Sequence, residues 1–163
     1  MRFTQAYQEL TRIPQPRVES IPIGEVMHRL EILGKAQLED KDIAFQIAVT
    51  DDLQHIKGDI NLLDQVFLNL LTNSIEALHG REDPIIGIHF SSTEEGKTMI
   101  RFTDNGAGMT EDVREQIFVP FYTTRKKGSG IGLSLCKQII RLHGGMIGVE
   151  SVKDQGTSFT IIL

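Results

Sequence analysis

The segment from Asp59 to Leu78 constrains this chain most. Leu62, Leu63, Val66, Phe67, Leu70, Leu71, Ile75 and Leu78 recur at three- and four-residue intervals, and Gly80 follows as a stop. That spacing predicts a helix with one broad apolar face, since positions three and four apart share a side of the helix. A face so wide must be covered by a second layer. The flanking sequence offers strands for it. Ile43, Phe45, Ile47 and Val49 alternate strictly, as a half-buried strand does. Ile85–Ser91 and Thr98–Thr103 read as two strands joined by the polar turn Thr93–Lys97. Met146–Val152 and Thr157–Leu163 read as two more, around the turn Lys153–Gly156.

Other helices are predicted at Gly24–Leu38, on the spacing of Val26, Leu30, Leu33 and Leu38, and at Ile131–Leu142, ended by Gly144 and Gly145. A short one is expected at about Thr110–Ile117, and Arg17–Ile23 alternates weakly, as an edge strand does. Helices and strands interleave, but strands paired through turns imply antiparallel neighbours. The expected fold is therefore an α/β two-layer sandwich, a mixed sheet packed on about three helices. Residues 1–16 read separately, as the end of a helix (Phe3, Ala6, Tyr7, Leu10) stopped by Pro14 and Pro16. The catalytic domain is expected over 17–163.

Composition narrows the class of function. A net charge of −5 speaks against a nucleic-acid surface, which carries a basic excess. The single cysteine, Cys136, leaves no internal disulfide and suits a reducing compartment. No apolar run approaches the ~20 residues that span a bilayer, and MRFTQAYQEL lacks the apolar stretch of a signal peptide. The expectation is a cytoplasmic chain without direct membrane contact; an inner-membrane anchor would belong to other parts of a parent protein.

Four short patterns carry chemistry. Asn69 and Asn73 stand four apart on the strong helix, so both carboxamides face one way. An amide oxygen is a hard ligand suited to Mg²⁺, although two polar residues on a solvated face would look the same. Asp104-Asn-Gly106-Ala-Gly108-Met109 closes a predicted strand, and its glycines let backbone approach a ligand while Asp104 accepts a hydrogen bond. Taken alone, an ordinary turn explains it better. Gly128-Ser129-Gly130-Ile131-Gly132-Leu133 runs into a helix N-terminus, where free amides and the helix dipole favour phosphate. Arg125-Lys126-Lys127 precedes it as a cationic segment. Gly156-Thr157 opens the last strand and alone reads as a hairpin turn. Gly96-Lys97-Thr98 is not a phosphate loop, because Ser91 stands where the leading glycine belongs.

Together and in order, these pieces resemble the signature of the GHKL ATPase superfamily, most closely the catalytic and ATP-binding domain of bacterial sensor histidine kinases. Asn69–Asn73 resembles the N box, Asp104–Met109 the G1 box, Phe118–Thr124 the F box and Gly128–Leu133 the G2 box. The FYTTR form of the F box is similar to that of nitrogen-regulation sensors. The resemblance implies a Bergerat-type ATP-binding fold with ATP and Mg²⁺ as ligands. Asp104 would bind the adenine amine, with Thr157 assisting. Asn73 would hold Mg²⁺, with Asn69 beside it. Gly106, Gly108 and Met109 would admit the nucleotide. Gly128, Ser129, Gly130, Ile131, Gly132 and Leu133 would face the phosphates. Phe118 to Gly128 would form a lid, with Phe118 and Phe121 as anchors and Thr123, Thr124, Arg125 and Lys127 toward ATP. Asn69 and Arg125 would be the catalytic pair, Arg125 lying near the γ-phosphate.

The resemblance also implies partners: a dimerisation and phosphoacceptor hairpin domain, whose remnant would be residues 1–16, and a response regulator. No histidine here has the phosphoacceptor's context; His28 is followed by Arg29 and reads as a surface residue. Hydrolases of the superfamily resemble one another in having glutamate at the position of Asn69. An amide cannot replace that general base, so rapid hydrolysis is not expected. Anti-sigma serine kinases share that glutamate and fit less well. A nucleotide-binding module without transfer activity is the remaining alternative.

Overall fold

The computed structural model describes residues 13–125 and 128–163. Seven strands and four helices alternate along them. They are β1 (Glu19–Pro22), α1 (Ile23–Leu38), β2 (Ala44–Val49), β3 (His55–Gly58) and α2 (Ile60–Ala77). Then follow β4 (Ile85–Ser92), β5 (Thr98–Asp104), α3 (Glu111–Gln116), α4 (Gly132–Leu142), β6 (Met146–Val152) and β7 (Gly156–Ile162). The main sheet has the order β2-β4-β5-β7-β6. Only β2 and β4 run parallel, and α2 lies on the crossover between them. The remaining neighbours are antiparallel, as the turn-linked pairs predict.

The strong helix forms where its sequence places it. The Asp59 side chain caps it, accepting from the backbone N–H groups of Asn61 and Leu62 at 3.1 and 3.3 Å. Its other oxygen accepts from the Arg17 N–H, and that bond holds the carboxyl below its ordinary range. Leu63, Val66, Phe67, Leu70 and Leu71 are fully buried. Phe67 stacks on Phe102 with ring centroids 5.7 Å apart and meets Phe90 edge-on at 6.5 Å. From the sheet, Ile86, Ile88, Phe90, Ile100 and Ile161 point inward and are equally buried. Each such side chain contributes about 1.5–3 kcal/mol through burial. On the opposite sheet face His89 and Arg101 pair across strands and stay exposed.

One feature departs from the sequence reading. β3 was not expected; it pairs antiparallel with β1 in a separate two-stranded sheet, Ile21 opposite Ile56. Its four residues bury one large apolar side chain, too few for an alternating signal. Ile13 packs against the main core. The proposed helical stub otherwise lies outside the described residues. No described helix is long and apolar enough to cross a membrane.

Candidate functional site

A cavity of about 590 Å³ opens between α2, the start of α4 and the turn after β5, within the range of small-molecule sites. It gathers residues scattered over the sequence. Asn69, Asn73, Asp104, Gly108, Met109, Thr123, Thr124, Arg125, Gly128, Ser129, Gly130, Gly132, Leu133 and Thr157 all line it. Leu68, Val113, Ile117 and Phe159 supply apolar wall.

Asp104 ends β5 and is 9% exposed. Its Oδ2 accepts the Ser74 hydroxyl at 2.9 Å, and its Oδ1 accepts the Gly106 N–H at 2.9 Å. Burial pushes the carboxyl above its ordinary value, against these donors and the Thr157 backbone. An ionised carboxylate offers about four acceptor positions, so at least one remains for a ligand beside these donors. Thr157 sits directly across the strand pair from Asp104. The Ser151 hydroxyl donates to the Gly156 carbonyl at 2.9 Å and accepts the Met109 N–H at 2.9 Å. With its proton committed there, the 3.0 Å contact with Thr157 is one in which Thr157 donates. The Thr157 oxygen then keeps acceptor capacity, beside the acidic acceptor.

The turn after Asp104 is clamped from outside. Arg81 donates from Nε to the Asn105 carbonyl at 3.3 Å, and from Nη2 to the carbonyls of Gly106 at 2.7 Å and Asp154 at 2.6 Å. The Ala107 N–H donates to the Ala77 carbonyl, and the Asp154 N–H to the Ala107 carbonyl. Gly108 has φ +61°, and a Cβ there would lie 2.0 Å from the Val152 carbonyl oxygen, so only glycine fits.

The other polar group lies along α2. Asn69 reaches the first turn of α4, its Oδ1 3.1 Å from where a Cβ on Gly132 would stand. Glu76, one turn beyond Asn73, also lines the cavity. Arg125 crosses to this helix, with Nη1 2.5 Å from Glu76 Oε2 and Nη2 donating to the Asn73 carbonyl at 3.3 Å.

Among the described residues, four expected site residues do not line the cavity. A Cβ on Gly106 would meet the end of α2 at 2.7 Å, so this glycine serves close packing there. Ile131 is buried beneath the loop. Phe118 packs edge-on against Phe159 at 6.5 Å, and the Phe121 N–H donates to the Gly130 carbonyl at 2.9 Å. Phe118 is thereby packed against the core beside the loop, while Phe121 is tied to the loop through its backbone. Lys127 lies outside the described residues.

Sequence reasoning missed Ser74, Arg81 and Ser151. Ser74 was detectable, because it interrupts the apolar stripe midway between Leu70 and Leu78. Arg81 and Ser151 carry no local signal. His28 is exposed, as expected of a surface residue. His143 is tied up structurally, accepting the Asp59 N–H at Nε2 and facing the Ile139 carbonyl at Nδ1. Cys136 is fully buried, which pushes its thiol up to about 12 and leaves it inert.

Comparisons with known proteins agree with this geometry. A family model described as Histidine kinase-, DNA gyrase B-, and HSP90-like ATPase matches residues 58–163. Sensor histidine kinase ZraS of Salmonella typhimurium is 31% identical over 166 residues, covering 99% of this chain and 35% of the relative. The chain thus spans about a third of that relative's length. The solved catalytic domain of histidine kinase ThkA superposes with a TM-score of 0.78 at 28% identity, over 90% of this chain and 95% of that one. A second ThkA structure, in complex with response regulator protein TrrA, gives a TM-score of 0.79 at 25% identity, over 99% of this chain and 47% of that one.

Proposed function

Given that this chain belongs to the family of histidine kinase-, DNA gyrase B- and HSP90-like ATPases, we propose that it is the ATP-binding catalytic domain of a two-component sensor histidine kinase. In this reading it delivers the γ-phosphate of ATP to a histidine on a separate helical-hairpin domain. The observation that carries it is the pairing, in one cavity, of a buried acceptor at Asp104 with two carboxamides and a guanidinium along α2.

Each part has a chemical role. Asp104 accepts from the exocyclic amine of adenine, and Thr157 supports it through its hydroxyl. Among the described residues no group of three or more His, Cys, Asp or Glu is placed to hold a metal. Mg²⁺ keeps waters and phosphate oxygens and needs few protein ligands. Asn73 is the residue to hold it, with Asn69 beside it. Bound Mg²⁺ would offset phosphate charge. Phosphoryl transfer asks the protein mainly for positioning and charge stabilisation, and the start of α4 contributes amides and the positive end of its dipole.

Water is a poor nucleophile here. Asn69 has no basicity, and Glu76, seven residues further along the helix, does not stand at the position of the hydrolases' glutamate. The nucleotide is thereby kept for an external imidazole. Outside the catalytic step, a response regulator would accept the phosphoryl group from that histidine. The FYTTR segment favours the nitrogen-regulation-like subgroup.

Calorimetry with ATP and ADP, with and without Mg²⁺, tests the binding half. Transfer of label from γ-labelled ATP to an added hairpin domain tests the rest. Binding without any transfer would instead support a nucleotide-binding module.

A further inference from the structure

Besides Asp104, Glu76 is the only acidic side chain lining the cavity among the described residues. A carboxylate beside a polyphosphate raises the electrostatic cost of binding unless a cation offsets it. Here the cation is Arg125, 2.5 Å away. The two side chains are 38% and 50% exposed, so the contact is readily exchanged. Ion pairs this open shift an equilibrium only about two- to fivefold.

Placement gives the pair its meaning. Glu76 lies three residues after Asn73, on a neighbouring part of the same helix face. Arg125 also bonds the Asn73 carbonyl. A terminal phosphate held through Asn73 therefore comes within reach of the same guanidinium. One N–H edge cannot serve a carboxylate and a phosphate together.

We propose that Glu76 competes with the terminal phosphate of the nucleotide for Arg125 and so sets the discrimination between ATP and ADP. The proposal rests on the reading of Arg125 as a γ-phosphate contact. ADP leaves the ion pair intact, whereas ATP displaces Glu76 from Arg125. Once the γ-phosphoryl group has been transferred, the carboxylate recaptures the guanidinium.

Plain repulsion between Glu76 and phosphate would also weaken ATP, so a double-mutant cycle is needed to separate the two effects. Calorimetry on the 163-residue chain with Mg²⁺ would compare ADP with a nonhydrolysable ATP analogue. The variants are Glu76→Gln, Arg125→Ala and the double substitution, with thermal unfolding to check that each is folded. Glu76→Gln should strengthen the analogue roughly two- to fivefold and leave ADP nearly unchanged, and this gain should vanish in the Arg125→Ala background. An unchanged ATP-to-ADP ratio in Glu76→Gln overturns the competition. So does a gain that survives Arg125→Ala, since it would then be simple repulsion. If Arg125→Ala itself leaves that ratio unaltered, the γ-phosphate reading of Arg125 falls first, and the proposal with it.

Discussion

The Ser74 hydroxyl donates to Asp104 Oδ2 at 2.9 Å, joining the buried face of α2 to the end of β5 across 30 residues of sequence. This bond, with the Gly106 N–H on Oδ1, fixes which carboxylate lone pairs remain to face the cavity. Hydrogen bonds to a charged group are worth about 1.5–3 kcal/mol. Ser74→Ala should therefore weaken ADP on the order of tenfold, and Asp104→Asn should weaken it far more, because its amide sets a donor against the adenine amine. Calorimetry decides, and undiminished affinity in Ser74→Ala would remove the orienting role.

Asp104 also predicts a pH dependence. Its folded-state value is raised above the ordinary 3.8, first by burial. The folded chain thus binds this proton more tightly than the unfolded one. The ionised group costs stability above its folded value, and that cost disappears as pH falls toward 3.8. Nucleotide-free wild type should gain thermal stability relative to Asp104→Asn on acidification over that window. ADP affinity should move the opposite way, because protonation removes the acceptor. Parallel pH profiles for the two proteins would contradict the assignment.

Asn73→Ala should abolish most of the Mg²⁺ dependence of ATP binding while leaving Mg²⁺-free binding nearly unchanged. The loss expected is that of one neutral oxygen ligand among several, with the phosphates retaining the rest. Titrations at several Mg²⁺ concentrations measure it. A slope equal to that of wild type would place the metal elsewhere.

Arg81 touches no ligand-facing atom, yet it bonds three carbonyls around the turn that carries Ala107 and Gly108. Arg81→Met should loosen that turn and reduce ADP affinity on the order of tenfold, the worth of one hydrogen bond involving a charged group. Tripolyphosphate, which lacks a base, should bind as before. Equal losses for both ligands would show a general effect on the fold instead.

Much of this protein was legible in one dimension. The 3.6-residue period of α2 and the two-residue period of β2, β4 and β5 are local consequences of side-chain direction, and they specify the layers they must form. The glycines of the loops were legible for a similar reason, since backbone geometry selects them residue by residue. Asn69, Asn73, Asp104 and Thr157 could be named by their order along the chain.

Tertiary structure alone decided what those residues touch. Arg125 and Glu76 stand 49 positions apart (125 − 76), and no periodicity relates a loop cation to a helix carboxylate. Arg81 meets Asp154 only because β6 and β7 bring their turn back beside the end of α2. β3 was invisible, since its partner β1 confers its structure. Gly106, named from its motif, packs so closely on Ala77 that a side chain would collide, a contact that only the fold creates. Local patterns depend on neighbours within a turn or a pleat, whereas the hydrogen bonds and ion pairs of the cavity depend on long-range closure of the sheet.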